Sequence, residues 1–247
     1  MHMNTNIWKA LGVLTTALLF GSAHANIVLG GTRIIYKSGD RDASVEISNQ
    51  GEYPALVQAW LDDGQTSASP ETLSVPFVLT PPISRVDPKQ SQTMRLVYTG
   101  ETLPADRESV FWLNVLEIPP KPSVEAGANT LQFAIRTRIK VFFRPKELIG
   151  DPRTAAAQLQ WKPMPGAPLT VIAKTPGPFY MSIGDMHLVI EGKPVGKAML
   201  GMVPPFGELA FTAEPDATPI SGVPTSVSYK VVDDFGGFVE ATMPIAK

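Results

Sequence analysis

Residues 130–143 read Thr130-Leu131-Gln132-Phe133-Ala134-Ile135-Arg136-Thr137-Arg138-Ile139-Lys140-Val141-Phe142-Phe143. Side chains of an extended chain alternate between two faces, so Leu131, Phe133 and Ile135 share one face while Gln132, Arg136, Arg138 and Lys140 take the other. On alternation alone this is an ordinary half-buried strand of a sandwich. Working towards the N-terminus, short runs rich in Val, Ile and aromatic residues recur between Gly, Pro, Asn and Asp clusters: Ile27–Tyr36, Ala43–Asn49, Ala55–Leu61, Phe77–Thr80, Gln92–Tyr98 and Val110–Ile118. No long 3.6-residue period interrupts them. Strands at this spacing, within about 120 residues, predict an all-β, immunoglobulin-like sandwich. Trp60 falls where such sandwiches bury an aromatic and is expected in the core.

Beyond Arg144-Pro145, the segment Lys146–Pro152 carries Gly150 and a proline at its end, which suits a bend between domains. A second β-rich unit follows, with strands expected at Leu169–Ala173, Phe179–Ile183, His187–Ile190, Leu209–Thr212, Ser226–Val232 and Gly237–Met243. Only Thr154–Gln160, with Ala155, Ala156 and Ala157, favours a short helix. The expected division is a leader over residues 1–25, one immunoglobulin-like domain over 26–147 and a second over 148–247, the two β-sandwich domains joined at an angle.

The leader reads as a signal peptide: Lys9 is its one charge, Ala10–Phe20 is apolar apart from two Thr, and Ala23-His24-Ala25 has the small-x-small form of a cleavage site. A membrane anchor is the competing reading, but the apolar stretch is too short to span. Cleavage after Ala25 would export the chain and leave Asn26 first. The whole sequence has 247 residues, 44% of them hydrophobic, with 21 Lys plus Arg against 23 Asp plus Glu. That near balance lacks the basic excess a nucleic-acid binder needs.

The sequence contains no Cys, which excludes disulfides, thiolate metal sites and cysteine nucleophiles. Of His2, His24 and His187, only His187 lies outside the leader, so a serine triad or histidine metal centre would rest on it alone. It sits in the strand-like Met186-His187-Leu188-Val189-Ile190, which suits a structural role. Acids are plentiful, but their spacing singles out no catalytic pair. The residues thus single out no enzyme, a carboxylate pair being the one catalytic class that composition leaves open, and no cofactor is implied.

Specific strings narrow the field. Thr80-Pro81-Pro82-Ile83-Ser84-Arg85-Val86-Asp87-Pro88, Asp106-Arg107-Glu108-Ser109, Phe111-Trp112-Leu113-Asn114-Val115 and Glu117-Ile118-Pro119-Pro120 follow one another in order. With Arg138-Ile139-Lys140-Val141-Phe142-Phe143-Arg144-Pro145 and Asp233-Asp234-Phe235-Gly236-Gly237, the chain resembles the periplasmic chaperones of the chaperone-usher pilus pathway, the PapD-like family. The resemblance covers essentially the whole chain after the leader. It departs in having no Cys, where some members carry a second-domain disulfide.

That resemblance implies a chaperone that binds and caps pilus subunits by donor strand complementation and delivers them to an outer-membrane usher. Such subunits are immunoglobulin-like folds lacking a strand, and their open groove would aggregate. The implied donor is Thr130–Lys140, with Leu131, Phe133 and Ile135 as knobs. An anchor for the subunit's C-terminal carboxylate is implied at Arg33 and Lys140, and an interdomain ion network at Glu108, Arg144 and Asp234. The short Lys121–Asn129 segment resembles the branch serving rod-like pili. When free, the chaperone would hide its sticky edge in a self-capping homodimer. Two other classes share this composition: a secreted immunoglobulin-like adhesin or structural surface protein, and a carboxylate-pair hydrolase. A pilus subunit would usually be one domain with a cysteine pair, and the acids in the matched strings sit beside arginines.

Overall fold

In the computed structural model, which describes residues 26–120, 133–198, 200–214 and 222–246, the alternating segments pair into two sandwiches. The first packs a sheet of β1 (Ile27–Leu29), β3 (Ala43–Asn49), β7 (Ser91–Tyr98) and β5 (Phe77–Thr80) against a sheet ordered β2 (Arg33–Lys37), β9 (Ile135–Arg144), β8 (Ser109–Ile118), β4 (Ala55–Asp62) and β6 (Ile83–Val86). Its core is what the period of two dictates: Val45 and Ile47, Met94 and Leu96 from one sheet meet Val57, Leu113, Val115 and Val141 from the other.

The second sandwich is one wrapped sheet. Its strands run β10 (Gln160–Met164), β11 (Ala167–Lys174), β15 (Glu208–Glu214), β13 (Lys193–Ala198), β12 (Met181–Ile190), β16 (Ser226–Val232) and β17 (Phe238–Pro244), with β14 (Gly201–Val203) also on β12. A parallel bridge between Trp161 and Ile245 joins its two ends, around a core containing Trp161, Leu188, Phe211 and Tyr229. Among the described residues, no helix is long and apolar enough to cross a membrane.

Several expectations need correction. Ile27–Tyr36 is not one strand: the chain leaves the first sheet at Gly30-Gly31, so β1 runs antiparallel to β3 while β2 runs parallel to β9 in the opposite sheet. That crossing places Arg33 beside Lys140. Trp60 is not core. Ala55, Val57, Ala59 and Leu61 occupy the inward positions of β4, so Trp60 lies on the outer face, half-buried beneath Arg136, whose guanidinium is 5.3 Å from its ring. Phe179–Ile183 and His187–Ile190 belong to one bulged strand, β12, whose register slips between Ile183 and Asp185.

Strands β6, β10, β13 and β14 lie outside the expected segments, being short or rich in Gly, Lys and Pro. The helix starts earlier than its alanines suggest. Asp151 caps it by accepting the Arg153 N–H, Pro152 takes the first turn, and α1 (Pro152–Ala155) tightens into a 3₁₀ turn at Ala156–Gln158. His187 lies partly exposed, 3.4 Å from Asp185.

Candidate functional site

Strand β9 organises the site because its two edges are used unequally. Along one edge it pairs with β8 from Glu117↔Ile135 to Ser109↔Phe143. Along the other, β2 covers only Lys140 to Arg144, from Arg33↔Lys140 to Lys37↔Arg144. Among the described residues no strand pairs the second edge of Ile135–Ile139. An edge left so among the described residues offers backbone groups that an incoming strand can pair.

Phe133 and Ile135 flank this open edge, with 68% and 39% of their surfaces exposed. They share the parity of the core residues Ile139 and Val141, so they continue the apolar face of the sandwich past its end. The described strand begins at Ile135, five residues after the expected start; Thr130, Leu131 and Gln132 lie outside the described residues, as does Lys121–Asn129 with Gly127.

Where β2 ends, two cations stand side by side. Arg33 and Lys140 are direct register partners. Arg33 donates from Nη1 to the Val232 carbonyl across the domain junction at 2.9 Å and lies 5.6 Å from the Phe142 ring. Its Nε is buried with no partner. Lys140 reaches the Ser182 hydroxyl of the second domain at 3.2 Å and sits 5.5 Å from the Trp112 ring. Burial, helped by the charge of Arg33, pushes the Lys140 ammonium down to about 8. Burial also lowers Arg33, outweighing Asp234, Asp233 and Glu108. Among the described residues neither cation has a carboxylate at ion-pair distance.

Farther along the same outer face of β9, Arg144 is saturated. Its Nε donates to Glu108 Oε1 at 2.7 Å, and Nη1 and Nη2 form a fork on Asp234 at 2.6 and 2.8 Å. Glu108 Oε2 in turn accepts the Tyr180 N–H at 2.8 Å, so one carboxylate ties β8 to both Arg144 and the second domain. Burial would lower the Arg144 pKa, but its bonds to Asp234 and Glu108 raise it on balance. Burial pushes the Glu108 carboxyl upward despite Arg144. Asp234 belongs to a tight turn whose Gly236, at φ +85°, passes so near β2 that a Cβ would lie 2.6 Å from Thr32 Oγ1. Only glycine fits there.

A third polar cluster was not anticipated from the sequence. Asp62, fully buried at the end of β4, binds the guanidinium of Arg138 and accepts from Asn114 Nδ2 at 2.7 Å and from the Gly64 N–H at 2.7 Å. Asn114 also accepts from Arg136 Nε at 2.9 Å. Arg138 stacks 4.0 Å from the Trp112 ring, the same ring that supports Lys140. Burial would raise the Asp62 pKa, but Arg138, Asn114 and Gly64 hold it below the ordinary carboxylate value. Asn114 was the available signal: an amide inside Trp112-Leu113-Asn114-Val115-Leu116 must find partners if buried.

The chain matches known proteins along most of its length. Residues 26–149 match the family described as pili and flagellar-assembly chaperone, PapD N-terminal domain, and residues 154–243 match the pili assembly chaperone PapD C-terminal domain. The chaperone protein FimB/FhaD of Bordetella pertussis is 43% identical over 96% of this chain and 95% of its own length. The probable fimbrial chaperone YadV of Escherichia coli is 42% identical over 97% of this chain and 98% of its own. Among solved structures, that of the YadV chaperone superposes with a TM-score of 0.75 at 38% identity, covering 90% of this chain and all of that one (100%). The Salmonella enterica SafB chaperone, solved in complex with the SafA pilin, gives a TM-score of 0.75 at 30% identity, covering 91% of this chain and 99% of that one.

Proposed function

We propose, on the premise that this chain belongs to the PapD-like pilus assembly chaperones, that it captures a pilus subunit on the open half of β9 and fixes the subunit's register with Arg33 and Lys140. The observation that carries the reading is the abrupt end of β2 at Arg33: the free edge of Ile135–Ile139 begins where two unpaired cations stand together. A subunit strand pairing with that edge would present its C-terminal carboxylate to both. Because a one-residue slip in a strand turns every side chain to the wrong face, a fixed anion supplies the register that backbone pairing alone lacks.

Phe133 and Ile135, with Leu131 before them, then enter the subunit's groove, each contributing about 1.5 to 3 kcal/mol when fully buried. The chain lends this surface and returns it when another strand replaces its own, so the subunit's folding supplies the driving force and no cofactor enters. Delivery to an outer-membrane usher follows from the family. Export to the periplasm follows too, and the small-x-small Ala23-His24-Ala25 supports cleavage after Ala25. In the absence of subunit, the same edge pairs reversibly with a second copy.

The Salmonella chaperone that shares this fold is itself solved bound to a pilin, which supports a subunit as the partner here. Co-expression with a pilus subunit tests the reading. Phe133→Glu or Ile135→Glu places an unpaired charge in an apolar groove, so recovery of the complex should fall at least tenfold while circular dichroism remains that of the wild-type sandwich. Unchanged recovery would mean that another strand is lent.

A further inference from the structure

Glu117 is a carboxylate where the fold expects a hydrocarbon. It occupies an inward position of β8, in line with Phe111, Leu113 and Val115, and only 5% of its surface is exposed. Among the described residues its hydrogen-bond partners are neutral: Asn26 Nδ2 donates to Oε1 at 2.8 Å and the Ile27 N–H to Oε2 at 3.1 Å. Among the described residues no Lys or Arg forms an ion pair with it. A buried carboxylate held only by neutral donors retains an uncompensated charge.

Asn26 is seated with matching care. Its carbonyl accepts the Gln50 N–H at 2.7 Å. Its side chain crosses Gly51 so closely that a Cβ there would lie 2.7 Å from Asn26 Cγ. The backbone nitrogen of Asn26 is within about 4 Å of the Ile27 nitrogen by covalent geometry alone, which places it within about 7 Å of Glu117 Oε2. Beside Gln50, Lys89 donates to the Gln50 carbonyl at 2.6 Å and pairs with Glu52 at 2.8 Å.

We propose that Glu117 is the built-in counter-ion of the α-ammonium created at Asn26 by leader removal, so that maturation itself closes the base of the first sandwich. The inference rests on cleavage after Ala25. Hydrolysis adds one water across the Ala25–Asn26 peptide bond: Ala25 departs with a carboxylate and the Asn26 nitrogen, now protonated, becomes an ammonium. A neutral amide beside Glu117 is thereby replaced by a cation. Glu117 is also the register partner of Ile135, so the new ion pair forms where the lent strand emerges. A precursor retaining its leader lacks it.

Three full-length mature chains test this: one starting at Asn26, one retaining Ala25, and one starting at Asn26 but Nα-acetylated, with Glu117→Gln made in the first two. Retaining Ala25 or acetylating should lower Tm by about 2 to 4 °C, whereas retaining Ala25 in Glu117→Gln should change it by less than about 1 °C. In the wild-type chain starting at Asn26, the α-amino group, followed by NMR, should titrate above its ordinary ~7.7–8.0 and return to that range in Glu117→Gln. If the acetylated and free chains melt together, or the wild-type α-amino group titrates normally, the pair does not form. The mass of the periplasmic protein checks processing separately: a mature chain beginning elsewhere overturns the cleavage, even if the defined chains show the pair.

Discussion

Two arginines of the same domain junction, Arg33 and Arg144, meet opposite fates. Arg144 is enclosed by Glu108 and Asp234, with three side-chain bonds between 2.6 and 2.8 Å. Arg33 has a carbonyl, an aromatic face and a neighbouring cation in Lys140, but among the described residues no carboxylate at ion-pair distance. Both face the second domain, and both lie where desolvation penalises an unpaired charge. The difference teaches that burial of a cation does not define its work; saturation does. On the reading proposed above, a closed set braces the junction, whereas an open pair keeps its affinity for a ligand that has yet to arrive.

Breaking the closed set should give the largest effect on stability. Arg144→Ala leaves the buried Glu108 carboxylate and the Asp234 fork without their cation, and such a loss costs about 3 to 5 kcal/mol. Denaturant unfolding should register it, and small-angle scattering should show a broader distribution of domain angles. Arg33→Ala, which strands no carboxylate and removes one hydrogen bond to a carbonyl, should cost only about 1 kcal/mol. Equal losses from the two substitutions would erase the distinction between brace and anchor.

The Asp62 cluster sharpens the comparison as a second closed set, on a single sheet. Asp62→Asn should cost about 1 to 3 kcal/mol at neutral pH by leaving Arg138 without its acid. The Asp62 carboxyl lies below its ordinary value in the folded chain, so its contribution is present above about pH 4 and is lost as pH falls through the folded pKa. The gap between wild type and Asp62→Asn in acid titrations of stability should therefore shrink below that pH. A constant gap would mean that Asp62 acts by packing alone.

A smaller effect distinguishes the open pair by its pH response. Lys140 sits at about 8 because burial and Arg33 disfavour its charge. A bound carboxylate must raise that value, so the complex takes up a proton when formed above it. Subunit affinity should be flat below about pH 8 and then fall by up to tenfold per pH unit until the raised value is reached. Lys140→Arg, which stays charged, should flatten the decline. A slope unchanged in that variant would assign the titration to another group.

Much of the fold was legible because the period of two is local. Ala43–Asn49, Phe77–Thr80 and Ser226–Val232 are strands with the boundaries their residues suggest. What failed was non-local. Nothing in Ile27–Tyr36 announces that the chain changes sheets at its glycines, yet that change brings Arg33 to Lys140. Trp60 holds the position where immunoglobulin-like sandwiches bury an aromatic, but its parity is outward, because Ala55, Val57, Ala59 and Leu61 claim the inward face. The interdomain set came from resemblance to a family, and the structure brings Glu108, Arg144 and Asp234 together. Asp62 and Glu117 look like ordinary surface acids in sequence, since only pairing reveals what surrounds a buried charge.

The most direct test of the account measures affinity for one subunit prepared with a free or an amidated C-terminus, against wild type, Arg33→Ala, Lys140→Ala and the double variant. Truncating one partner of a buried charge pair costs about 2 to 5 kcal/mol, so each single variant should bind the free-carboxylate subunit tens to thousands of fold more weakly. The double variant should lose little more, because both cations serve one anion. Amidation should weaken wild type to the same degree and abolish the sensitivity to both substitutions. Full affinity in the double variant, or losses that add and persist with the amidated subunit, would contradict the anchor.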